Sequence, residues 1–208
     1  MLGESSWRDI INKAIDEKFE QIEKFDDPNK ISIDECIGCL RRSYYNRIEP
    51  SRESKKVRLH KVLTNSMRTK RKEFAIDNIT IVGYADAIID GVLFNIMVSN
   101  ELPKEPLPKD LLYLNANLCI FNIDNGVLIY TDGVGNTIEF SLSRDNRVFN
   151  ELIRRIRILN TLLKEQKIPI IEPSEECIEC QYQERCYMRK WKYGDSLIEK
   201  LLGKVRED

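Results

Sequence analysis

The sequence lacks the features that would direct a protein into or across a membrane. No stretch of its 208 residues approaches the ~18 uninterrupted apolar residues of a membrane-spanning helix, so we expect no membrane span. The N-terminal residues Met-Leu-Gly-Glu-Ser-Ser-Trp have no apolar segment typical of a secretory signal. We therefore expect a cytoplasmic protein whose six cysteines do not form disulfide bonds.

Internal repeats, low-complexity linkers and a strong net charge are also absent. A chain of 208 residues that is 42% hydrophobic is long enough for one well-buried domain, which we predict over residues 1–208. The formal net charge of −1 provides no global field that would attract a polyanion. The single histidine, His60, is on position alone more often structural than a metal ligand.

Positive charge is nevertheless concentrated in one part of the chain. Residues 41–72, here called the basic segment, contain twelve Lys or Arg residues and only two Glu residues. Such a run is usually a solvated face, but this density also suits contact with a phosphate backbone. The segment therefore predicts nucleic-acid binding, with the contacts assigned to its first part: Arg41, Arg42, Tyr44, Tyr45, Lys55, Lys56 and Arg58. The alternative for the two tyrosines is an ordinary place in the core.

Three cysteines near the end of the chain have the spacing of metal ligands. Cys177, Cys180 and Cys186 form a Cys-x2-Cys-x5-Cys pattern, which needs a fourth ligand from elsewhere. Cys36 and Cys39 are the candidates, about 140 residues upstream. Zinc and an iron–sulfur cluster both accept four thiolates, so spacing alone does not choose between them. Cys119 lies in an apolar run and is predicted to be a core residue.

The hydrophobic pattern predicts an α/β domain. Helical periodicity covers residues 7–25, about 33–47, 55–71, 109–122 and 144–167. The second of these helices starts at Ser32-Ile-Asp-Glu35, which has the pattern of a capping box. β-Prone runs cover residues 74–76, 79–82, 87–89, 92–98, 127–131 and 137–141. Asp90-Gly91 predicts a hairpin turn between the third and fourth runs.

These motifs together resemble a known family. Cys39-Leu-Arg-Arg-Ser-Tyr-Tyr45 and the segment from Pro169 to Cys186 resemble the two ends of the RecB-like nucleases of the PD-(D/E)XK superfamily. The likeness is closest to their iron–sulfur, CRISPR-associated branch, the Cas-four exonucleases, and covers about residues 30–190. It implies a restriction-endonuclease-like core sheet flanked by helices, with N- and C-terminal segments joined by a cluster.

The resemblance also implies ligands, segments and partners. The cluster would be [4Fe–4S], in preference to [2Fe–2S], held by Cys39, Cys177, Cys180 and Cys186, while His60 and Asp86 fall at the family's divalent-metal positions. N-terminal helices would occupy residues 1–47, the nuclease-like core 55–168 and the cluster module 169–190. The implied partners are DNA, as single strands or ends, and the CRISPR integration proteins of antiviral defence. The resemblance is also compatible with an oligomer. The alternative to a CRISPR protein of the cell is a homologue that is encoded by a mobile element.

The catalytic strand departs from the family pattern. The family carries Glu-x-Lys after the hairpin turn, whereas this chain has Asn95 and Met97 there. An amide supplies no anionic oxygen to Mg²⁺ or Mn²⁺, and a thioether cannot stabilise the charge on a scissile phosphate. We therefore expect weak cation binding and no appreciable nuclease activity. The alternative is an active exonuclease in which Glu101 and Lys104 replace the lost pair.

Overall fold

The computed structural model describes residues 7–51, 53–99 and 101–186, so residues 187–190 of the predicted cluster module lie outside it. Its elements are α1 (Trp7–Glu20), β1 (Lys30–Ser32), α2 (Asp34–Ile37), α3 (Leu40–Ile48), α4 (Lys55–Met67), β2 (Lys70–Ile76), β3 (Ile79–Ala85), β4 (Ala87–Ile89), β5 (Val92–Val98), α5 (Pro108–Phe121), β6 (Asn125–Thr131), β7 (Thr137–Ser143) and α6 (Asn146–Lys164). A short 3₁₀ helix follows at Glu175–Cys177. None of the described helices is long and apolar enough to cross a bilayer.

Two small sheets form the centre of a mixed α/β fold. One has the order β1-β3-β2, with β1 parallel and β2 antiparallel to β3. The other has the order β4-β5-β6-β7, in which β5 and β6 are parallel and are connected through α5. The hairpin between β4 and β5 turns at Asp90 and Gly91, whose φ angles are 49° and 79°. The predicted α/β class and this hairpin are confirmed, because Asp-Gly readily adopts positive φ at both positions.

Helices α5 and α6 cover the sheets with apolar side chains. Leu152, Ile156 and Leu159 of α6 are fully buried, as the helical spacing of its apolar residues predicts. Helix α5 packs against both sheets and against α6. It lies so close to β3 that a Cβ atom at Gly83 would stand 2.7 Å from Asn117 Oδ1. Gly83 therefore allows the contact between β3 and α5 that assembles the candidate site.

Three predicted helix boundaries are wrong. Helix α1 ends at Glu20 rather than at residue 25, and α4 ends at Met67 because β2 begins at Lys70. The helix predicted over 33–47 is two helices, α2 and α3, separated at Gly38 and Cys39. Its predicted start is partly correct: the Ser32 hydroxyl accepts a hydrogen bond from the Asp34 amide at 3.1 Å, and the Glu35 carboxylate accepts one from the Ser32 amide at 2.9 Å.

Candidate functional site

Four cysteines from the two ends of the described chain line one pocket. They are Cys39, which precedes α3, together with Cys177, Cys180 and Cys186. The turns that carry the last three are closed by backbone hydrogen bonds from the Cys180 amide to Cys177 O and from the Cys186 amide to Tyr182 O. The structure thus brings together the four residues of the predicted ligand set.

Cys36 lies elsewhere. Its side chain is fully buried in the main hydrophobic core, and this burial raises the pKa of its thiol well above the usual value. The break between α2 and α3 separates it from Cys39, so the two cysteines do not share a helical face. Cys36 therefore belongs to the core, and Cys39 is the upstream cysteine that reaches the pocket.

The chemistry of the four side chains fits a metal group that is held by thiolates. Within the described ranges, no group of three or more His, Cys, Asp or Glu side chains is close enough to hold a single metal ion. The four cysteines line one pocket, and four thiolates can hold either zinc or an iron–sulfur cluster. Burial raises the pKa of the Cys186 thiol, while the positive charge of Arg41 opposes that rise. Cys39, Cys177, Cys180 and Cys186 would hold the cluster.

The helix break that exposes Cys39 to the pocket is stabilised by Arg155 of α6. Its guanidinium donates to Cys36 O at 2.7 Å and to Gly38 O at 2.5 Å. The same group pairs at 3.1 Å with Glu172, which also lines the pocket. Arg155 therefore connects the turn that carries Cys39 to the loop that leads into Cys177.

Two tyrosines predicted to stack on bases are in the core. The exposed fractions are 4% for Tyr44 and 1% for Tyr45, and the Tyr45 ring lies 5.1 Å from that of Tyr182. The Tyr182 hydroxyl donates to Asn46 Oδ1 at 2.9 Å and accepts from the Ser51 amide at 3.0 Å. The assignment of Tyr44 and Tyr45 to DNA contact is therefore wrong, because neither ring has a free face for a base. They attach the cysteine module to α3.

Most of the arginines assigned to DNA contact are also engaged within the fold. Arg41 is buried, Arg42 pairs with Glu176 at 3.1 Å, and Arg58 pairs with Asp16. Further along the basic segment, Arg68 pairs with Asp34 and Arg71 pairs with Glu23. Lys55 and Lys56 are exposed at the start of α4, and Lys56 has only an exposed pair with Glu179 at 3.7 Å. The predicted contact surface is thus reduced to these two lysines of the original set.

The Asp86 carboxylate, at a divalent-metal position of the resemblance, is bound by protein hydrogen bonds through one of its two oxygens. Asp86 follows β3 directly, and its Oδ2 atom accepts a hydrogen bond from the Ile96 amide at 2.6 Å. Asn95 Nδ2 approaches the same oxygen at 3.5 Å. The Thr69 hydroxyl donates to the carbonyl of Asp86 at 2.6 Å. Burial raises the pKa of Asp86, and the Ile96 and Asn95 hydrogen bonds oppose the rise.

Asn95 is the centre of a buried amide network. Its side chain is fully buried, and its Nδ2 atom donates to Tyr84 O at 3.3 Å. Its Oδ1 atom accepts from Asn117 Nδ2 at 3.4 Å, and Asn117 Oδ1 accepts from the Tyr84 amide at 2.9 Å. Met97, where the resemblance expects lysine, packs into both hydrophobic clusters. β5, the strand on which the resemblance expects catalytic residues, contributes these side chains to the core.

Arg68 places a positive charge beside this network, a role that the sequence did not reveal. Its guanidinium donates to Asp34 Oδ1 at 2.6 Å and stacks over the Tyr84 ring at 4.3 Å. The neighbouring Thr69 binds Asp86, so Arg68 enters the site from the end of α4. Its positive charge favours ionised Asp86, and Asp34 opposes this effect. A fixed guanidinium therefore supplies charge near the carboxylate.

The remaining candidate residues do not join Asp86. His60 on α4 faces the start of α5, where partial burial and then the Lys109 ammonium lower its pKa and Asp110 raises it. Glu101 and Lys104 are exposed. Among the described residues, neither of their side chains has a hydrogen bond or ion pair to Asp86. The replacement of the lost Glu-x-Lys pair by Glu101 and Lys104 is not assembled in this structure.

Comparison with known proteins supports the fold. No family model matches the sequence, and no curated protein matches it. The crystal structure of SSO0001 has a TM-score of 0.62 at 18% identity, covering 83% of this chain and 93% of that chain. An alkaline exonuclease (LHK-Exo) from Laribacter hongkongensis has a TM-score of 0.43 at 10% identity, covering 73% of this chain and 93% of that chain. The first comparison shows a shared mixed α/β fold.

Proposed function

We propose that this chain is a non-cleaving, Cas-four-like member of the iron–sulfur RecB-like nucleases that binds DNA in a CRISPR spacer-acquisition complex, or a mobile-element homologue that competes with one. The observation that carries the proposal is the buried network around Asn95. Where an active enzyme needs an anionic metal ligand, this amide binds Tyr84 and Asn117 instead. Metal activation of water supplies much of the acceleration in metal nucleases, so this exchange removes the chemistry.

The cysteine pocket supports the second part of the proposal. Cys39 and the Cys177–Cys186 module come from opposite ends of the described chain and meet at one pocket, as four thiolate ligands of a cluster require. The cluster would be structural and would hold the two ends together. Zinc with four thiolates is the competing occupant. Iron with a brown protein supports the cluster, whereas zinc with a colourless protein supports a zinc-stabilised interaction module.

DNA binding through Lys55 and Lys56 is tested with the double variant Lys55→Gln/Lys56→Gln. We expect several-fold weaker binding of labelled single- and double-stranded oligonucleotides, and a salt dependence reduced by about one unit of slope for each lost phosphate contact. Fluorescence anisotropy over a salt series measures both. Lys164→Gln/Lys167→Gln is the matched control, because it removes the same charge from exposed positions outside the basic segment.

The possible results of this experiment distinguish a DNA partner from a protein partner. Weaker binding by the α4 variant alone supports direct DNA contact at the start of α4. Equal affinity of wild type and both variants contradicts that assignment. No DNA binding by wild type, together with co-purification of the chain with CRISPR integration proteins, would place the function in protein contacts instead.

A further inference from the structure

Arg41 is a buried cation whose partner is missing from the described part of the chain. It lies at the start of α3, two residues after Cys39, and only 8% of its surface is exposed. Its Nε atom is buried and has no hydrogen-bond partner among the described residues. A buried charge without an opposite charge nearby is strongly unfavourable. The position therefore requires an anion close to the guanidinium.

The contents of the pocket show which anion is available. Arg41 lines the same pocket as the four cysteines. Two carboxylates also line it, but both have other cationic partners. Glu176 pairs with Arg42 at 3.1 Å and with Lys109 at 2.5 Å. Glu172 pairs with Arg155 at 3.1 Å. Among the described residues that line the pocket, the cysteine sulfurs remain, and they would be anionic when bound to a metal group.

We propose that Arg41 is the counter-ion of the cysteine-held group and donates a hydrogen bond from Nε to one of its sulfur atoms. This inference rests on the iron–sulfur cofactor proposed above. It makes Arg41 a tuning residue, since the guanidinium would neither ligate iron nor contact DNA. The Tyr45 ring lies 5.8 Å from the guanidinium carbon and supports the side chain from the core.

The guanidinium has a defined effect on electron uptake. A cluster held by these four thiolates would become more negative when a chemical reductant such as dithionite adds one electron to it. A fixed positive charge nearby stabilises the more negative, reduced state and so raises the reduction potential. Net charge and hydrogen bonds to sulfur are among the main determinants of such potentials. Loss of Arg41 should therefore make the group harder to reduce.

The test is an anaerobic redox titration of the full-length, iron-replete protein, followed by visible absorbance and electron paramagnetic resonance. At a fixed potential, we expect Arg41→Gln to lower the ratio of reduced to oxidised protein at least tenfold, which corresponds to about 59 mV for one electron. Arg42→Gln is the matched control. It removes the same charge from the same pocket, but from a guanidinium that Glu176 already neutralises. The ratio of reduced to oxidised protein in Arg42→Gln should differ from that of wild type by less than threefold.

A second variant separates tuning from a purely structural role. Arg41→Lys keeps the charge but loses the planar donor, so its potential should lie between those of wild type and Arg41→Gln. If Arg41→Gln does not retain iron, retention by Arg41→Lys with a near wild-type circular dichroism spectrum still supports a counter-ion. Loss of iron and of the folded spectrum in both variants would overturn the proposal in favour of packing alone.

Different results would contradict the role of Arg41 and the presence of the proposed cofactor. Iron-replete wild type with the same potential as Arg41→Gln overturns the role of Arg41 and leaves the cluster intact. Wild type purified anaerobically without iron overturns the proposed cofactor and this inference together.

Discussion

Replacing Cys180 by serine should remove the proposed iron–sulfur cluster and lower the melting temperature by roughly 20 °C or more, since metal binding contributes about 10 kcal/mol in small metal-dependent folds and ~1 kcal/mol shifts a chain of this size by about 2–4 °C. Cys180 lies between the other two cysteines of the module and lines the pocket with them. Its loss should therefore loosen the C-terminal module where that module meets α3.

Described contacts also hold that module against the rest of the fold, since the buried Tyr182 packs on Tyr45 and Glu176 pairs with Arg42. Gln181 Nε2 donates to Asn46 Oδ1 at 3.1 Å, and the Tyr182 hydroxyl donates to the same oxygen at 2.9 Å. Each such hydrogen bond adds only about 1 kcal/mol. The proposed cluster would add to these contacts by joining the module to Cys39.

Cys119→Ser is the matched control for this experiment. Cys119 lies on α5 outside the pocket, and its Sγ atom is 3.9 Å from Asn146 Oδ1. Iron content and thermal unfolding are measured on anaerobically purified protein. An unchanged melting temperature in Cys180→Ser, or equal losses in both variants, would contradict a structural cluster at this pocket.

Introducing the glutamate of the proposed family with Asn95→Glu should destabilise the metal-free protein by roughly 3–5 kcal/mol, or about 6–20 °C in melting temperature. Asn95 is fully buried, and its Nδ2 atom lies 3.5 Å from Asp86 Oδ2. A glutamate there would replace that donor with a second carboxylate. Two buried like charges repel each other unless a cation lies between them.

Mn²⁺ should therefore recover part of the lost stability in Asn95→Glu. The control is Asn160→Glu, because Asn160 is also buried but donates to Pro28 O at 2.7 Å, away from Asp86. It should be destabilised without recovery by Mn²⁺. Differential scanning fluorimetry with and without Mn²⁺ measures both variants. Equal behaviour of the two, or no loss of stability at Asn95→Glu, would show that position 95 does not adjoin a vestigial metal site.

Local patterns predicted most of the secondary structure, and tertiary contacts account for the errors. Asp90-Gly91 indicates a turn by itself, because its two residues accept positive φ without help from the rest of the chain. The break between α2 and α3 could not be predicted in this way. It depends on Arg155, which binds Cys36 O and Gly38 O from more than 100 positions later in the chain.

In the candidate site too, the local features could be predicted from the sequence and the tertiary contacts could not. The replacement of Glu and Lys by Asn95 and Met97 is visible in the spacing after the hairpin. The partners of Asn95 are not, because Asn117 reaches it only when α5 packs against β3 at Gly83. The DNA contacts predicted for the arginines of the basic segment were wrong for a related reason. Acids distant in sequence, such as Asp16 and Glu23, neutralise its arginines, so the density of charge exaggerated the surface available to DNA.

The most direct test of the account is DNA cleavage by anaerobically purified, iron-replete protein with Mn²⁺. Labelled single- and double-stranded substrates are incubated with wild type and with Asp86→Ala. We expect intact DNA with both proteins and a shifted band on a native gel with wild type, since Asn95 and Met97 supply neither a metal ligand nor a catalytic cation. Mn²⁺-dependent cleavage by wild type that Asp86→Ala abolishes would contradict the account, because it would show that the nuclease site still functions.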